Sequence, residues 1–382
     1  MKIAMLGHKR IPSREGGVEI VVEELATRMA QSGHSVTVYN RGGHHVSDKS
    51  LEVCNEKKWN YKGVRVITVP TINKKSLNAI IYAFFATWKA VFGHFNVIHY
   101  HAEGSCAMLP IAKKLSGAKC VATIHGLDWQ RSKWGGFATK FLLFGEKMAA
   151  KHADEVIVLS QNVQDYFEDT YQQDTTFIPN GISRPSLAGD SLIREKYGIK
   201  TNGYILFLAR LVPEKGLHYL IDAYRGLQTD KKLIIAGGSS HSTEYVEEMK
   251  KKAEKDERII MTGFVQGQEL EELYSNAYLY ILPSDVEGMP ISLLEAMSYG
   301  NCCLVSDIPE NKDVIGAYGK SFKQGNVEDL KAVLQELLHD PKQVDYYKNT
   351  ASDYICEKYQ WDAVIEKTLA LYGEKNENID GK

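Results

Sequence analysis

The chain has no surplus of either charge. Its 46 Lys and Arg stand against 48 Asp and Glu in 382 residues, a net charge of −2. No overall field therefore draws nucleic acid or anionic lipid, and any basic patch has to be local. Cysteine is scarce too. The six, Cys54, Cys106, Cys120, Cys302, Cys303 and Cys356, include no C-x-x-C pair, and the adjacent Cys302 and Cys303 suit neither an ordinary disulfide nor a zinc knuckle. They read as reduced, mostly small core residues of a cytosolic protein. A convincing membrane span is missing: the longest apolar stretch, Leu77 to Phe95, is broken by Asn78, Thr87, Lys89 and His94. It reads as a core helix in preference to an interfacial one, although Lys74 and Lys75 at its start leave room for peripheral membrane contact. The apolar run in MKIAMLGHKR is too short for a signal-peptide core and reads as a first buried strand.

Several chemistry-bearing motifs are absent as well. There is no G-x-G-x-x-G fingerprint, no Walker sequence, no G-x-S-x-G elbow and no D-x-D. His99-x-His101 and His44-His45 are close pairs, but no ligand set stands at a recognisable zinc spacing. A strand would put His99 and His101 on one face, so a weak site stays open, while the expectation is no metal and no cofactor.

What is present is an alternation of short β-rich runs with helical patterns. Strands are expected at Lys2–Leu6, Ser35–Tyr39, Val64–Thr68, Val97–Tyr100, Cys120–Ile124, Glu155–Leu159 and Thr176–Ile178. The clearest helix is Val18–Gln31, with Gly33 as its stop. The alternation restarts after Pro179-Asn180-Gly181. Strands follow at Tyr204–Ala209, Lys232–Ala236, Ile259–Thr262, Leu279–Leu282 and Cys302–Ser306, and helices at Gly216–Gly226, Glu244–Lys255, Gln268–Ser275, Ile291–Tyr299 and Val327–Leu338. This predicts βαβ units and parallel sheets in two α/β halves: 1–178, and 179–360, with an amphipathic helix from 361 and a frayed polar tail from Glu374. In such sheets ligands sit at the carboxyl ends of the strands, and a cleft between two facing sheets is the expected site.

Four runs carry the candidate chemistry. Ser284 to Ala296 follows a strand, turns at Gly288 and opens a helix with Pro290 near its first position, which presents free N–H groups suited to phosphate. Glu287 lies in the loop and Glu295 inside the helix, so the two carboxylates can grip different hydroxyls; solvated or capping glutamates are the plainer reading. The run from Leu208 to Gly216 also follows a strand. It puts Arg210 and Lys215 at the same sheet edge if both strands are parallel, where two cations can neutralise a leaving diphosphate. Gly7-His8-Lys9-Arg10 with Gly16, Gly17 and Glu19 leads a strand through a glycine pair into a long helix, either a phosphate-approach loop or a tight turn. His125, in the run Thr123 to Arg131, stands just past a strand as an isolated histidine, structural unless it lines a cleft.

Together these residues resemble the GT-B glycosyltransferases of the large retaining family usually called family 4, over nearly the whole chain. Glu287 and Glu295 match its E-x7-E element, and Arg210 and Lys215 its R-x4-K element. Ala236-Gly237-Gly238, Thr262-Gly263-Phe264-Val265 and the closing Trp361-Asp362 … Leu371-Tyr372 match as well. The N-terminal half, with Arg10, Gly16, Gly17, Glu19 and the run from His125 to Arg131, is similar to a subgroup of bacterial surface-polysaccharide synthesis that includes rhamnosyltransferases. The resemblance implies two Rossmann-like domains facing a central cleft. The second would bind a nucleotide-diphosphate sugar as co-substrate. Glu295 would hold the ribose, Arg210 and Lys215 the diphosphate, and Glu287 with the backbone around Gly288, Met289, Ile291 and Ser292 the sugar. Gly237, Gly238, Phe264 and Val265 would line the same donor site. Gly16 and Gly17 would let the first domain approach the donor, His125 would approach the sugar, and the Trp361–Tyr372 helix would pack back on the first domain. A glycan or lipid-linked acceptor would bind the first domain, with Arg131, Lys133 and Trp134 as candidate acceptor or membrane-surface contacts. The implied setting is the cytoplasm, with contact to the inner face of the membrane left open. Rival readings are a GT-B nucleotide-sugar epimerase, a phosphorylase, and a non-catalytic nucleotide-sugar binding protein.

Overall fold

A computed structural model describes residues 1–42, 57–72, 75–130, 136–238 and 243–373. His44, His45, Cys54, Lys74, Arg131, Lys133, Trp134 and the tail from Glu374 lie outside the described residues. The chain divides into two compact units, Met1–Gly181 with Trp361–Lys382, and Ile182–Gln360.

The first unit is built on eight strands: β1 (Lys2–Leu6), β2 (Ser35–Arg41), β3 (Lys58–Tyr61), β4 (Val64–Val69), β5 (Val97–His101), β6 (Lys119–Ile124), β7 (Glu155–Val158) and β8 (Thr176–Phe177). Their spatial order is β3-β4-β2-β1-β5-β6-β7-β8. All neighbours are parallel except β3, which pairs antiparallel with β4. The central strands are near-continuous runs of Val, Ile, Ala and Leu because helices cover both faces of a parallel sheet. One face is covered by helices 75–91, 109–115, 136–152 and 161–171, whose Tyr82, Ala86, Leu109, Ala112, Ala149 and Phe167 join Ala4, Leu6, Ile98 and Ala122 of the strands in a single apolar cluster. Helix 75–91 departs from the core-helix expectation. It buries Tyr82, Ala83, Ala86 and Ala90 but leaves Phe84, Phe85 and Trp88 exposed, as is Phe92 just after it.

The second unit has six parallel strands, β9 (Tyr204–Leu208), β10 (Lys232–Ala236), β11 (Ile259–Gly263), β12 (Leu279–Leu282), β13 (Cys302–Ser306) and β14 (Lys320–Phe322). Their order is β11-β10-β9-β12-β13-β14. This is the doubly wound Rossmann order, and the larger sheet contains the same order around β1 and β5. In each, the direction of strand progression reverses between two central neighbours, β9 and β12 in one unit, β1 and β5 in the other. The described cysteines are free, with Cys106, Cys120, Cys302 and Cys303 buried.

Two glycines show how tightly the strand ends of the second unit are cut. Gly237 has φ of +145° and Gly216 φ of +67°. A Cβ on Gly237 would lie 1.9 Å from the Ala209 carbonyl oxygen, and one on Gly216 1.9 Å from that of Pro283. The loop after β10 thus rests on the one after β9, which rests on the one after β12, backbone against backbone. Gly237→Ala is expected to destabilise the second unit by about 2 kcal/mol or more. Gly189→Ala, where a Cβ meets nothing within 4 Å, should stay within about 0.5 kcal/mol of the parent. Urea-unfolding midpoints at unchanged m-value measure both.

Candidate functional site

Because β9 and β12 are adjacent and parallel, the loops leaving their carboxyl ends emerge side by side and then diverge. The first runs from Ala209 to Gly216, the second from Pro283 to Pro290. They are cross-braced by hydrogen bonds. The Asp285 N–H donates to the Glu214 carbonyl at 2.9 Å. The Tyr219 hydroxyl donates to Asp285 Oδ2 at 3.3 Å, and the Gln324 amide to the Asp285 carbonyl at 3.0 Å.

Within this brace the Lys215 ammonium pairs with the Glu287 carboxylate, with side chains only 12% and 6% exposed. The resemblance gave these residues separate tasks; the structure joins them. A lysine ammonium carries three donors, so the bond to Glu287 does not exhaust Lys215. Arg210 sits half-buried directly after β9. Beside Lys215, the buried Glu214 carboxylate finds no hydrogen-bond partner for either oxygen among the described residues.

The helix that follows, Ile291–Ser298, starts from an extended Pro290 without any side-chain cap. The N–H groups of Leu293 and Leu294 both reach the Pro290 carbonyl, at 3.1 and 3.2 Å. Those of Ile291 and Ser292 precede the first helical bond and so lack an intrahelical partner. Gly288 and Met289, both buried, lead into that helix start. One turn on, Glu295 Oε2 accepts a hydrogen bond from the Tyr274 hydroxyl at 3.2 Å. Burial, and then the Glu295 charge, push the Tyr274 hydroxyl well above its ordinary pKa, so it stays a donor. Tyr274 is stacked on Tyr299 at 5.2 Å. Gly237 and Gly238 follow β10 at the same edge, where the Gly238 carbonyl accepts the Leu211 N–H at 3.1 Å. Phe264, 39% exposed, stands beside Gly238, and Val265 is buried. The sequence candidates of the second unit thus gather at the carboxyl ends of β9 to β12.

The corresponding edge of the first unit is lined by buried histidines. His8 follows β1, His101 ends β5 and His125 follows β6. His125 is not isolated: its Nε2 lies 3.1 Å from Nδ1 of the buried His101. The His101 ring lies 4.1 Å from that of His99, which is held between the Thr123 hydroxyl at 2.7 Å and the Tyr372 hydroxyl at 2.6 Å. His8 Nε2 is 3.0 Å from Asn40 Oδ1. Burial pulls His8 down to about 4 and His99 to about 3, and lowers His101 well below the usual histidine range. Glu103, just after β5, is pushed well above the ordinary carboxyl range by burial, and further by Asp128. Three buried atoms here, His8 Nδ1, His101 Nε2 and Glu103 Oε2, have no partner among the described residues.

Gly16 and Gly17 stand at the start of helix 17–31. Gly16 leaves room for Glu19, whose Oε2 would lie 2.3 Å from an added Cβ. Burial opposes ionisation of Glu19, yet the Lys9 charge and the Lys9 N–H, 2.9 Å from Oε1, hold its carboxyl below the usual range. Sequence reading passed over Glu103, and named His8 and Glu214 only within their runs and His101 only as half of a weak metal pair. The available signal was position, since each but Glu214 lies within two residues of a strand's carboxyl end. Among the described residues no group of three or more His, Cys, Asp or Glu is placed to hold a metal ion.

Residues 15–184 match the family model described as Glycosyltransferase Family 4, and residues 190–354 the one described as Glycosyl transferases group 1. An uncharacterized glycosyltransferase of Methanocaldococcus jannaschii is 26% identical over 97% of this chain and 98% of its own length. A GDP-mannose-dependent alpha-(1-6)-phosphatidylinositol monomannoside mannosyltransferase of Mycolicibacterium smegmatis is 23% identical over 92% of this chain and 93% of its own. Among solved structures, sucrose-phosphate synthase from Thermosynechococcus elongatus superposes with a TM-score of 0.83 at 19% identity, covering 97% of this chain and 98% of that one. Both Rossmann-like sheets are those of the GT-B fold.

The lowered histidines set an acid limit on the first unit. Their folded-state pKa values lie below the unfolded value near 6.5, so between pH 6.5 and about 4 the unfolded chain binds more protons and stability falls with pH. Each histidine contributes on the order of 1.4 kcal/mol per pH unit in that window. The urea midpoint of the first unit should drop steeply from pH 7 to pH 5, and less steeply in His8→Asn.

Proposed function

We propose that this chain, a GT-B glycosyltransferase of the family-4-like kind, transfers a hexosyl or deoxyhexosyl group from a nucleotide-diphosphate sugar to a glycan or lipid-linked acceptor with retention of anomeric configuration. The observation that carries this reading is the braced edge of the second unit. Lys215, fixed by Glu287, shares the strand-reversal point with Arg210 and with an uncapped helix start. Cationic side chains and free N–H groups at one edge suit a diphosphate.

In this mechanism the acceptor hydroxyl attacks the anomeric carbon from the face on which the diphosphate departs. The carbon–oxygen bond to the leaving group breaks first, the sugar passes through an oxocarbenium-like state, and the departing phosphate oxygen takes the hydroxyl proton. Arg210, Lys215 and the N–H groups of Ile291 and Ser292 stabilise the charge that develops on the leaving group. Glu287 holds Lys215 with one oxygen and offers the other to a sugar hydroxyl. Glu295 receives the ribose while its second oxygen stays on Tyr274. Gly237, Gly238, Phe264 and Val265 border the nucleotide. The first unit is assigned the acceptor side, while Gly16 and Gly17 at the start of helix 17–31 are assigned to the approach to the donor, and His125, just past β6, to the transferred sugar. Neutral histidines suit hydroxyl recognition, since each offers one donor and one acceptor.

With the charge of the leaving group met by side chains and N–H groups, the reaction needs no metal, and turnover should survive a chelator. A role in cell-surface polysaccharide synthesis, with a rhamnosyltransferase-like substrate, accords with the resemblance of the first unit. A lipid-linked acceptor would bring a cytoplasmic enzyme to the inner face of a membrane.

A donor screen by thermal unfolding tests the reading. The correct nucleotide sugar at about 100 times its Kd should stabilise the protein by about 2.7 kcal/mol. Arg210→Ala should cost about 10²–10³ in kcat with the fold retained, and Lys215→Ala at least as much together with a lower melting temperature, because it leaves Glu287 buried without its partner. Full turnover in either variant would remove the assignment. Product analysis without acceptor separates transfer from epimerisation, which releases an altered sugar unaided.

A further inference from the structure

One helical layer of the first unit carries an aromatic and basic surface that the reading above does not use. On helix 75–91 and its continuation, Leu77, Ile81, Phe84, Trp88 and Phe92 recur at intervals of three and four residues, a stripe about 22 Å long at 1.5 Å rise per residue. Its members are exposed apart from the half-buried Ile81, Trp88 at 42% and Phe92 at 63%, and Phe85 flanks them at 43%. Phe84 stacks on Trp88 at 6.1 Å, and Trp88 meets Phe92 edge-on at 5.4 Å. The opposite side of the helix, through Tyr82, Ala86 and Ala90, is the one in the core. Large apolar groups have thus been placed outward on a helix whose core contacts are already complete.

The same layer continues through helices 109–115 and 136–152, which add exposed Leu115, Phe137 and Phe144. Its charge is one-sided. Residues 75–95 and 109–117 contain no Asp or Glu. In helix 136–152 the single acid, Glu146, is buried and accepts hydrogen bonds from Trp129, Tyr166 and Tyr171. Lys89, Lys114, Lys140 and Lys147 are all exposed. The basic character stops at the next helix, 161–171, where Asp165, Glu168 and Asp169 are exposed. A chain of net charge −2 has gathered a local basic field around its most aromatic surface.

We propose that this layer docks the protein on an anionic lipid bilayer, with Phe84, Trp88 and Phe92 in the headgroup region and the lysines on lipid phosphates. Aromatic side chains with an apolar body favour the interface, and an amphipathic helix with basic flanks lies in its plane. No helix among the described residues is long and apolar enough to cross a membrane, so the contact is peripheral. A second copy of the chain is the poorer occupant, because self-association through this face would bring like-charged lysines together. The inference deepens the lipid-linked acceptor reading and rests on it for its purpose; the surface itself stands on the geometry.

The test is co-sedimentation of the full chain with vesicles of phosphatidylcholine alone and of phosphatidylcholine with phosphatidylglycerol. Binding is expected on the anionic vesicles and weakened by high salt. The triple variant Phe84→Ser, Trp88→Ser, Phe92→Ser should bind at least about tenfold more weakly, and so should Lys89→Glu with Lys114→Glu and Lys140→Glu. Both variants replace exposed side chains and should keep the parental melting temperature and the donor-induced thermal shift. Absence of vesicle binding, equal binding by the variants, or a concentration-dependent dimer that the aromatic variant abolishes would each overturn the proposal. Loss of vesicle binding with the donor shift intact leaves the transferase reading standing. Vesicle binding in a protein that no nucleotide sugar stabilises removes the transferase reading alone.

Discussion

A lysine ammonium and a glutamate carboxylate, both nearly buried, organise the edge of the second sheet. Taking Lys215 or Glu287 out of water alone costs several kcal/mol, so neither position tolerates loss of the other. Two apolar side chains of similar size would stabilise the loops as well or better, and the pair's advantage therefore lies in what it can do. It keeps a cation at a fixed point, and it keeps a carboxylate oxygen beside it. Both loops must be held for this to work. The Asp285–Glu214 backbone bond and the contact of Gly216 with the Pro283 carbonyl do that without a side chain that a ligand would have to displace.

The two units use one topological device to present two different sets of side chains. Each reverses its strand progression between central neighbours, and each opens the loops there. In the second unit those loops present cations, carboxylates and helix N–H groups, which suit an anion. In the first they present buried histidines that desolvation keeps neutral, and a carboxyl, Glu103, that burial drives toward its protonated form. Groups of that sort recognise hydroxyls. The difference is electrostatic and follows from burial, because the same histidines exposed to water would titrate near neutral pH.

Much of this was legible in the sequence where period and position agree. Strand alternation gave the central strands of both sheets, because a strand covered on both faces is a short apolar run that little else imitates. Two of the four edge strands, β3, KWNY, and β14, KSF, escaped notice because they are half exposed and polar. Helix 341–358 was missed because its apolar stripe is narrow, only Val344, Tyr347, Ala351 and Ile355 in eighteen residues. Asp340 with Pro341 was a readable start, and Asp340 does cap the helix at the Gln343 N–H. At the site, loops after strands marked the right neighbourhood. The Lys215–Glu287 pair joins residues 72 apart, and the His99–Tyr372 bond residues 273 apart. Neither has a local signature. His125 looked isolated because its partner His101 belongs to a different strand.

Net charge conceals more than it reveals here. Near-neutrality speaks against a general attraction to anions, and it speaks only of the molecule as a whole. Yet the first unit separates its charges by layer. Helices 75–91, 109–115 and 136–152 expose lysines without acids. Helix 161–171 beside them exposes acids without lysines, and helices 17–31 and 361–372, outside that apolar cluster, mix Glu23, Glu24, Asp362 and Glu366 with Arg28 and Lys367. With a screening length near 10 Å at ordinary ionic strength, a surface responds to its own layer and hardly to the total. A unit partitioned in this way has an orientation in any field that decays over a few ångströms, such as that of a charged bilayer. Aromatic residues on the basic layer and nowhere comparable on the acidic helix give that orientation a short-range anchor of the same polarity.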